Sequence, residues 1–156
     1  MTNDLSDLIR PEGIAEGLAV VSKKALFQQL GQLAAAAYGM DAKAAADGLA
    51  VREKLGSTGF GGGVAIPHAR LIGIDAICGV IVTLAKPIDV DAVDELPVDL
   101  VVALFSPPDA GADHLKALAR VSRALRDAKF VAKLRGSGSK DAMYALLAPD
   151  EARDAA

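Results

Sequence analysis

The sequence predicts an α/β fold, a single layered domain with a central mixed, largely parallel β-sheet flanked by helices on both faces. Two apolar stretches rich in β-branched residues, 77–84 and 98–105, are typical of strands buried on both sides. With 52% hydrophobic but only 4% aromatic residues, the 156-residue chain can fill one mainly aliphatic core. We expect one domain over residues 1–156, with its core at about 5–147 and a tail at 148–156.

The N-terminal part of the sequence predicts one strand and two helices. Residues 13–21 have the mixed apolar character of a short strand, and Ser22 can cap the helix that follows. Apolar residues recur at helical spacing over 23–38, which predicts an amphipathic helix. Asp41 can cap a second helix, which we expect to end near Leu55.

The C-terminal half predicts the remaining strands and three helices. A short strand at 64–66 precedes the two apolar strands, and a helix begins near Asp113 after them. Shorter helices are expected at 128–135 and 140–147, the last capped by Ser139. The predicted inward face of the helix near Asp113 carries Leu115, Leu118, Ser122 and Leu125.

The segment GSTGFGGGVAIPHAR, residues 56–70, contains five glycines and one of the two histidines of the chain. A P-loop needs Lys and then Ser or Thr after its glycines, and a dinucleotide fingerprint needs a glycine that leads into a helix. Here the glycines lead into a strand-like stretch, so binding of ATP or NAD is disfavoured. Glycines that accept positive φ angles, with hydroxyls beside them, instead predict a cradle for a phosphate-sized anion. Its candidate members are Ser57, Thr58, Gly59 and Gly61.

His68 is the candidate nucleophile of this segment. Pro67 fixes its own φ angle and favours extended geometry before it, which sets the direction of the His68 ring. His114 supplies a second imidazole and Arg52 a guanidinium, and no cluster of residues suggests a metal site. The alternative is structural: the glycines form an ordinary tight connection, His114 is a half-exposed surface residue, and Arg52 is a solvated helix residue.

Charge and cysteine content limit the class of protein. A formal net charge of −3 argues against non-specific nucleic-acid binding. Cys78 is the only cysteine, so no internal disulfide forms and a reducing compartment is favoured. The N-terminus lacks the features of a signal peptide, and the longest apolar run, 76–85, has about half of the ~20 residues that a membrane span needs. We therefore expect a cytoplasmic protein without membrane insertion.

Three stretches of the chain resemble the enzyme IIA proteins of the bacterial phosphoenolpyruvate-dependent phosphotransferase system. The stretch REKLGSTGFGGGVAIPHARL, residues 52–71, resembles their active-site signature. PVDLVVALFSP at 97–107 is similar to their central strand, and DHLKALARVSRAL at 113–125 to the helix that follows it. The resemblance is closest to the nitrogen-related branch of the fructose/mannitol type and covers about residues 5–147.

This resemblance implies that His68 is phosphorylated and that His114 and Arg52 stabilise the phosphoryl group. It implies a small HPr-like phosphocarrier protein as donor. Attack by a neutral imidazole needs no metal ion, and we expect no cofactor. Relatives of the nitrogen-related branch are regulators, which favours a regulatory protein, and a kinase or transporter is a possible target. Two alternatives remain open: an enzyme IIA that passes phosphate to a sugar transporter, and a regulatory module that binds an anion or a partner without chemistry.

The segment from Lys116 to Lys140 is strongly basic, with eight Lys and Arg residues and one acidic residue, Asp127. Some of these cations fall at helical spacing. A solvated helix face explains the pattern, and the alternative is a docking surface for an acidic partner. The cations at helical spacing are Lys116, Arg120, Arg123 and Arg126.

Overall fold

The two apolar stretches in the middle of the chain form the central pair of strands. In the computed structural model, which describes residues 4–148, they are the antiparallel strands β5 (Cys78–Ile88) and β6 (Val98–Ser106). Every residue of β6 except Asp99 is buried, as expected for a strand covered on both faces. Both predicted strands are therefore confirmed. Of the predicted tail, residues 149–156 lie outside the described part of the chain.

Four further strands complete a mixed sheet in the order β1-β5-β6-β3-β2, with β4 also beside β6. Strand β1 pairs with β5 in parallel, β3 and β4 pair with β6 in parallel, and β2 pairs with β3 antiparallel. Three of the five pairings are thus parallel, which confirms the predicted mixed, largely parallel sheet. These strands are β1 (Ile9–Leu18), β2 (Gly59–Gly61), β3 (Val64–Ala65) and β4 (His68–Arg70).

Five helices within the described residues flank this sheet, and local caps define most of their ends. The side chains of Ser22, Asp41, Asp127 and Ser139 each accept a hydrogen bond from a backbone N–H in the first turn of a helix. Gly39, in the left-handed region at φ 74°, ends the first helix. The helices are α1 (Lys23–Tyr38), α2 (Ala42–Glu53), α3 (Ala112–Arg126), α4 (Ala128–Arg135) and α5 (Lys140–Leu147).

Buried apolar side chains form one layer on each face of the sheet. On one face, α1 and α2 pack through residues such as Leu30 and Leu49 against Val82 and Val101. On the other face α3, α4 and α5 cover the opposite sides of the same strands. Helices therefore flank both faces, as the sequence predicts. No helix within residues 4–148 combines the length and the apolar character needed to cross a bilayer.

Several details of the secondary structure differ from the sequence prediction. The first strand begins at Ile9 and ends at Leu18, because fully buried Ile9 pairs with Gly79 of β5 and so extends the ladder towards the N-terminus. The second helix ends at Glu53, two residues before the predicted end near Leu55. The segment 56–70, predicted to be mostly loop, contains the short strands β2 and β4, which exist because β3 and β6 pair with them.

The predicted inward face of α3 is wrong at Leu115. Its side chain is 65% exposed, and Leu118 and Ser122 are only partly buried. The buried face consists mainly of smaller side chains together with one imidazole. The positions of the largest apolar residues therefore did not predict which face of the helix is buried. It is made of His114, Ala117, Val121, Ala124 and Leu125.

Candidate functional site

Strand β4 fixes the position of His68. This strand pairs in parallel with β6, so that His68 lies opposite Leu104. The carbonyl of Pro67 accepts a 3.0 Å hydrogen bond from the Leu104 N–H, which anchors the chain just before the histidine. Pro67 itself has no N–H to donate, a property that suits it to the edge of the ladder. The imidazole is half-buried at this edge.

Two hydrogen bonds define the protonation of the His68 ring. Nδ1 lies 3.0 Å from the carbonyl oxygen of Ile66, and Nε2 lies 3.1 Å from Nε of Arg52. A carbonyl oxygen can only accept and a guanidinium N–H can only donate. We therefore assign the proton to Nδ1 and the lone pair to Nε2. The ring presents an unprotonated nitrogen on the side that Arg52 approaches.

Arg52 lies in the last turn of α2 and joins the histidine to the glycine-rich segment. Its Nη1 donates a 2.9 Å hydrogen bond to the carbonyl of Gly56, while its Nε donates to the His68 ring. Helix α2 packs against β4, which brings this turn to the edge of the sheet. A partly buried guanidinium is thus held against the lone pair of an imidazole.

His114 lies in the first turn of α3 and contacts the same imidazole. The ring centroids of His68 and His114 are 5.5 Å apart, with the planes inclined by 56°. His114 is only 5% exposed, so the alternative of a half-exposed surface histidine is wrong. Its Nδ1 lies 2.6 Å from the hydroxyl oxygen of Ser106, the last residue of β6. The structure therefore brings Arg52, His68 and His114 together.

The surroundings of both imidazoles favour their neutral forms. Burial lowers the pKa of His68, and the Arg52 charge adds to this effect, against the opposing influences of the Ile66 carbonyl and Glu53. Burial also lowers the pKa of His114, helped by the charge of Arg70 and by His68. Two uncharged imidazoles beside a guanidinium make a site with positive charge and an unprotonated ring nitrogen on His68.

Glu53, which the sequence analysis did not single out, anchors the start of the glycine-rich segment. Its buried carboxylate accepts hydrogen bonds from the N–H of Thr58 at 3.1 Å and from the Thr58 hydroxyl at 2.7 Å. Lys23 at the start of α1 pairs with the same carboxylate at 3.0 Å. The N–H and hydroxyl of Thr58 are therefore occupied within the protein.

Ser57 and Gly59 are likewise engaged in local structure. The Ser57 hydroxyl donates to the carbonyl of Val90 at 2.8 Å and accepts from the N–H of Gly59 at 3.1 Å. Gly59 is closely packed, because a Cβ there would lie 2.9 Å from the Cβ of Ala92. These contacts hold the segment between Arg52 and His68 in one conformation.

Gly61 lies away from the two histidines. It pairs with Val64, which lies opposite Leu100 of β6, whereas His68 lies opposite Leu104. Four residues along a strand span about 13 Å, so the turn at Gly61 is remote from the imidazoles. The structure does not bring Gly61 together with the other predicted site residues.

Glu53 and Ser106 are the polar residues around this site that sequence reasoning missed. Ser106 is the fully buried last residue of β6, a position where a polar side chain needs a partner. Glu53 directly follows Arg52 at a helix end. Both signals are weak in a sequence, because they depend on burial that only the fold reveals.

The arrangement suits a phosphoryl group better than a cation. Among residues 4–148, no group of three or more His, Cys, Asp and Glu side chains is placed to hold a metal ion. The polar groups that converge on His68 are instead a guanidinium and a second imidazole. A neutral nucleophile with donors on either side can attack phosphorus while the donors stabilise charge on its oxygens.

Comparison with known proteins adds independent information. The family model for the phosphoenolpyruvate-dependent sugar phosphotransferase system, EIIA 2, matches residues 7–149. A nitrogen regulatory protein of Bradyrhizobium diazoefficiens is 47% identical over 144 residues, covering 92% of this chain and 94% of that protein. One from Pseudomonas aeruginosa is 39% identical over 127 residues, covering 81% and 82%. The crystal structure of nitrogen regulatory protein IIA-Ntr from Neisseria meningitidis superposes with a TM-score of 0.85 at 31% identity, covering 92% of this chain and 98% of that one.

Proposed function

Because this chain belongs to the EIIA 2 family of the phosphoenolpyruvate-dependent sugar phosphotransferase system, we propose that it accepts a phosphoryl group on Nε2 of His68. We further propose that it acts as a regulator of the nitrogen-related branch, the role named for its relatives at 47% and 39% identity. The observation that carries the chemistry is the His68 ring itself: Nδ1 is bound to the Ile66 carbonyl and Nε2 holds the lone pair.

The proposed step exchanges one nitrogen–phosphorus bond for another. The lone pair on Nε2 of His68 attacks the phosphorus atom in line as the bond to the donor's histidine nitrogen breaks, and that nitrogen keeps the electron pair. The proton on Nδ1 of His68 stays in place and continues to donate to the Ile66 carbonyl. No proton transfer is required at the acceptor, so a neutral imidazole is sufficient.

Arg52 has to exchange partners during this step. In the structure its Nε–H occupies the lone pair that must attack. When phosphate arrives, this N–H turns to a phosphoryl oxygen, and the Nη1 bond to the Gly56 carbonyl keeps the guanidinium nearby. His114 supplies a second donor beside the same ring. Each such donor stabilises the transition state by about 2–4 kcal/mol, by analogy with single oxyanion donors.

The glycine-rich segment has a positioning role in this proposal. Thr58 is bound to Glu53, and Ser57 to Val90, which fixes the backbone between Arg52 and His68. Direct contact of phosphate with Ser57, Thr58 or Gly59 stays a prediction, whereas the position of Gly61 disfavours its contact with phosphate on His68.

Exposed apolar side chains close in sequence to the site residues favour a protein as phosphoryl donor. Leu55 is 82% exposed, Ile72 94% and Leu115 65%, and each follows or adjoins a segment that supplies the site. Large apolar side chains left in water are typical of a protein-docking surface. A small HPr-like phosphocarrier is the donor that we propose.

A separate basic surface fits an acidic regulatory partner such as a kinase or transporter. Two cations of the basic segment are used internally, because Arg120 pairs with Asp7 at 2.7 Å and Arg135 with Asp99 at 2.9 Å. The others that are exposed along α3 and α4 are Lys116, Arg123, Arg126, Lys129 and Lys133. Partner binding through this surface should weaken as salt is added, and binding that is indifferent to salt would oppose the idea.

The direct experiment is phosphorylation from phosphoenolpyruvate through the first enzyme of the system and an HPr-like carrier. We expect one acid-labile, base-stable phosphoryl group on the wild-type protein and none on His68→Ala. A Lys43→Ala variant, changed at an exposed residue of α2, serves as the control and should be labelled like wild type. A protein that binds inorganic phosphate but is never labelled would be a non-catalytic anion-binding module instead.

A further inference from the structure

Ser106 makes a short hydrogen bond to His114 inside the protein. Its hydroxyl oxygen lies 2.6 Å from Nδ1 of His114, and the two residues are 0% and 5% exposed. Backbone pairing fixes the serine, because Ser106 lies opposite Arg70 of β4 and its carbonyl accepts a 2.8 Å hydrogen bond from Leu71. The hydroxyl is therefore held rigidly against one nitrogen of the ring.

The direction of this hydrogen bond follows from the needs of a buried hydroxyl. Within residues 4–148, Nδ1 of His114 is the only hydrogen-bond partner of the Ser106 hydroxyl. If Nδ1 carried the proton, the serine O–H would be buried without an acceptor, which is costly. If the serine donates to Nδ1 instead, the hydroxyl is satisfied. The ring proton of neutral His114 then resides on Nε2.

We propose that Ser106 is a positioning residue that fixes His114 as the tautomer with Nε2–H, so that this ring donates a hydrogen bond to the phosphoryl group. The inference rests on the proposed function of His68. With Nδ1 taken by the serine, Nε2 is the ring nitrogen left to meet a phosphoryl oxygen.

The two imidazoles then hold opposite tautomers with different roles. His68 carries its proton on Nδ1, towards the Ile66 carbonyl, and offers the Nε2 lone pair as nucleophile. His114 carries its proton on Nε2, and its lone pair is occupied by Ser106. Because their hydrogen-bond partners differ, His68 can accept the phosphoryl group while His114 donates a hydrogen bond to it.

Replacing Ser106 by Ala should leave His68 able to take phosphate but slow its capture. Without the serine the two tautomers of His114 mix and the ring is free to turn. We expect transfer about 10- to 100-fold slower, by analogy with the loss of groups that orient metal-ligating histidines. Ser106→Thr keeps the hydroxyl and should restore much of the rate. Ser137→Ala, which removes a hydroxyl bonded to the Leu134 carbonyl, is the matched control and should transfer normally.

Two readouts separate positioning from a merely structural effect. Long-range ¹H–¹⁵N spectra of the ring should report Nε2–H for His114 in wild type and Ser106→Thr, and a mixture in Ser106→Ala. The second readout is a double-mutant cycle with His114→Gln, whose amide supplies an N–H without tautomers. Ser106→Ala should have little further effect on transfer in that background.

The outcomes are distinguishable. An unchanged tautomer and rate in Ser106→Ala, with a phosphorylated wild type, would overturn the positioning role alone. An equal loss in the His114→Gln background would assign the effect to structure. A wild-type protein that takes no phosphate would overturn the proposed function and, with it, any role of His114 towards phosphate, whatever the spectra report.

Discussion

The Nε–H of Arg52 donates a 3.1 Å hydrogen bond to Nε2 of His68, the nitrogen that holds the lone pair. The group suited to stabilise an incoming phosphate therefore covers the nucleophile in the resting protein. It also points the ring, because the opposite nitrogen is bound to the Ile66 carbonyl. Release of this one hydrogen bond is the conformational change that the proposed transfer to His68 requires.

Replacement of Arg52 tests the value of this guanidinium. We expect Arg52→Ala to slow transfer to His68 by about 10²- to 10³-fold, since one preorganised donor to developing charge is lost. Arg52→Lys keeps the charge but not the fixed fork of donors, and its transfer rate should lie between those of wild type and Arg52→Ala. Single-turnover transfer from a phosphorylated carrier measures the effect, with Lys43→Ala as control. Wild-type rates in Arg52→Ala would remove Arg52 from the mechanism.

Loss of Glu53 should destabilise the fold and loosen the segment before His68. Glu53→Ala leaves the N–H and hydroxyl of Thr58 without their acceptor and should lower the free energy of unfolding by about 1–3 kcal/mol. Urea denaturation measures this. The matched control is Asp47→Ala, which breaks the exposed Lys43–Asp47 pair and should change little. Equal stabilities of the two variants would contradict the anchoring role.

Stability should fall on acidification through the histidine range. The pKa values of His68 and His114 both lie below 6.5 in the folded protein, so between those values and 6.5 the unfolded chain binds more protons. Their contribution is complete above pH 6.5 and is lost as the pH falls towards the folded values. Because the chain has only two histidines, the double variant His68→Gln/His114→Gln removes all histidine titration. Urea unfolding from about pH 8 to about pH 5 should give a flatter profile for this variant than for wild type, and parallel profiles would refute the shifts.

The turn between β2 and β3 provides a test of local packing. Gly62 and Gly63 both have positive φ angles, 67° and 78°, but a Cβ on Gly63 would lie 2.5 Å from Nη2 of Arg135 whereas Gly62 faces open space. That guanidinium bridges the Gly62 carbonyl and Asp99. Gly62→Ala should cost about 1–2 kcal/mol of stability for its backbone alone, and Gly63→Ala should cost more.

Removing Arg135 separates the cost of the backbone conformation from the cost of the contact with Arg135. In an Arg135→Ala background the 2.5 Å contact at Gly63 no longer exists, and a milder one of 3.3 Å to Oδ1 of Asp99 remains. The difference in stability between the two glycine variants should therefore shrink in that background. A difference that stays as large without Arg135 would mean that the contact with Arg135 is not its cause.

The parts of the fold that depend on neighbouring residues could be predicted from the sequence. Ser22, Asp41 and Ser139 cap helices as expected, because a cap is a hydrogen bond to the next few residues. Strand β4 could not be predicted, since a three-residue strand is defined by its pairing with distant β6. Strand β2 pairs with β3 across a two-residue turn, but its sequence Gly-Phe-Gly has no apolar alternation that would predict a strand. The inward face of α3 was misjudged for a related reason: only tertiary packing places Leu115 in solvent.

The difference between what local sequence predicts and what only tertiary packing shows applies to the site as well. The sequence placed Arg52, His68 and His114 as candidates through a glycine-rich motif and a family resemblance, and the fold brings these three together. It could not reveal Glu53 or Ser106, because their importance comes from burial and from side-chain hydrogen bonds that only the fold shows.

The most direct test of the account is to locate the phosphate on the phosphorylated wild-type protein. With ¹⁵N-labelled histidine, phosphorus–nitrogen coupling identifies the nitrogen that is bound. We expect one phosphoryl group, on Nε2 of His68, with the proton still on Nδ1. Phosphate on Nδ1 of His68, on His114, or on neither imidazole would contradict it.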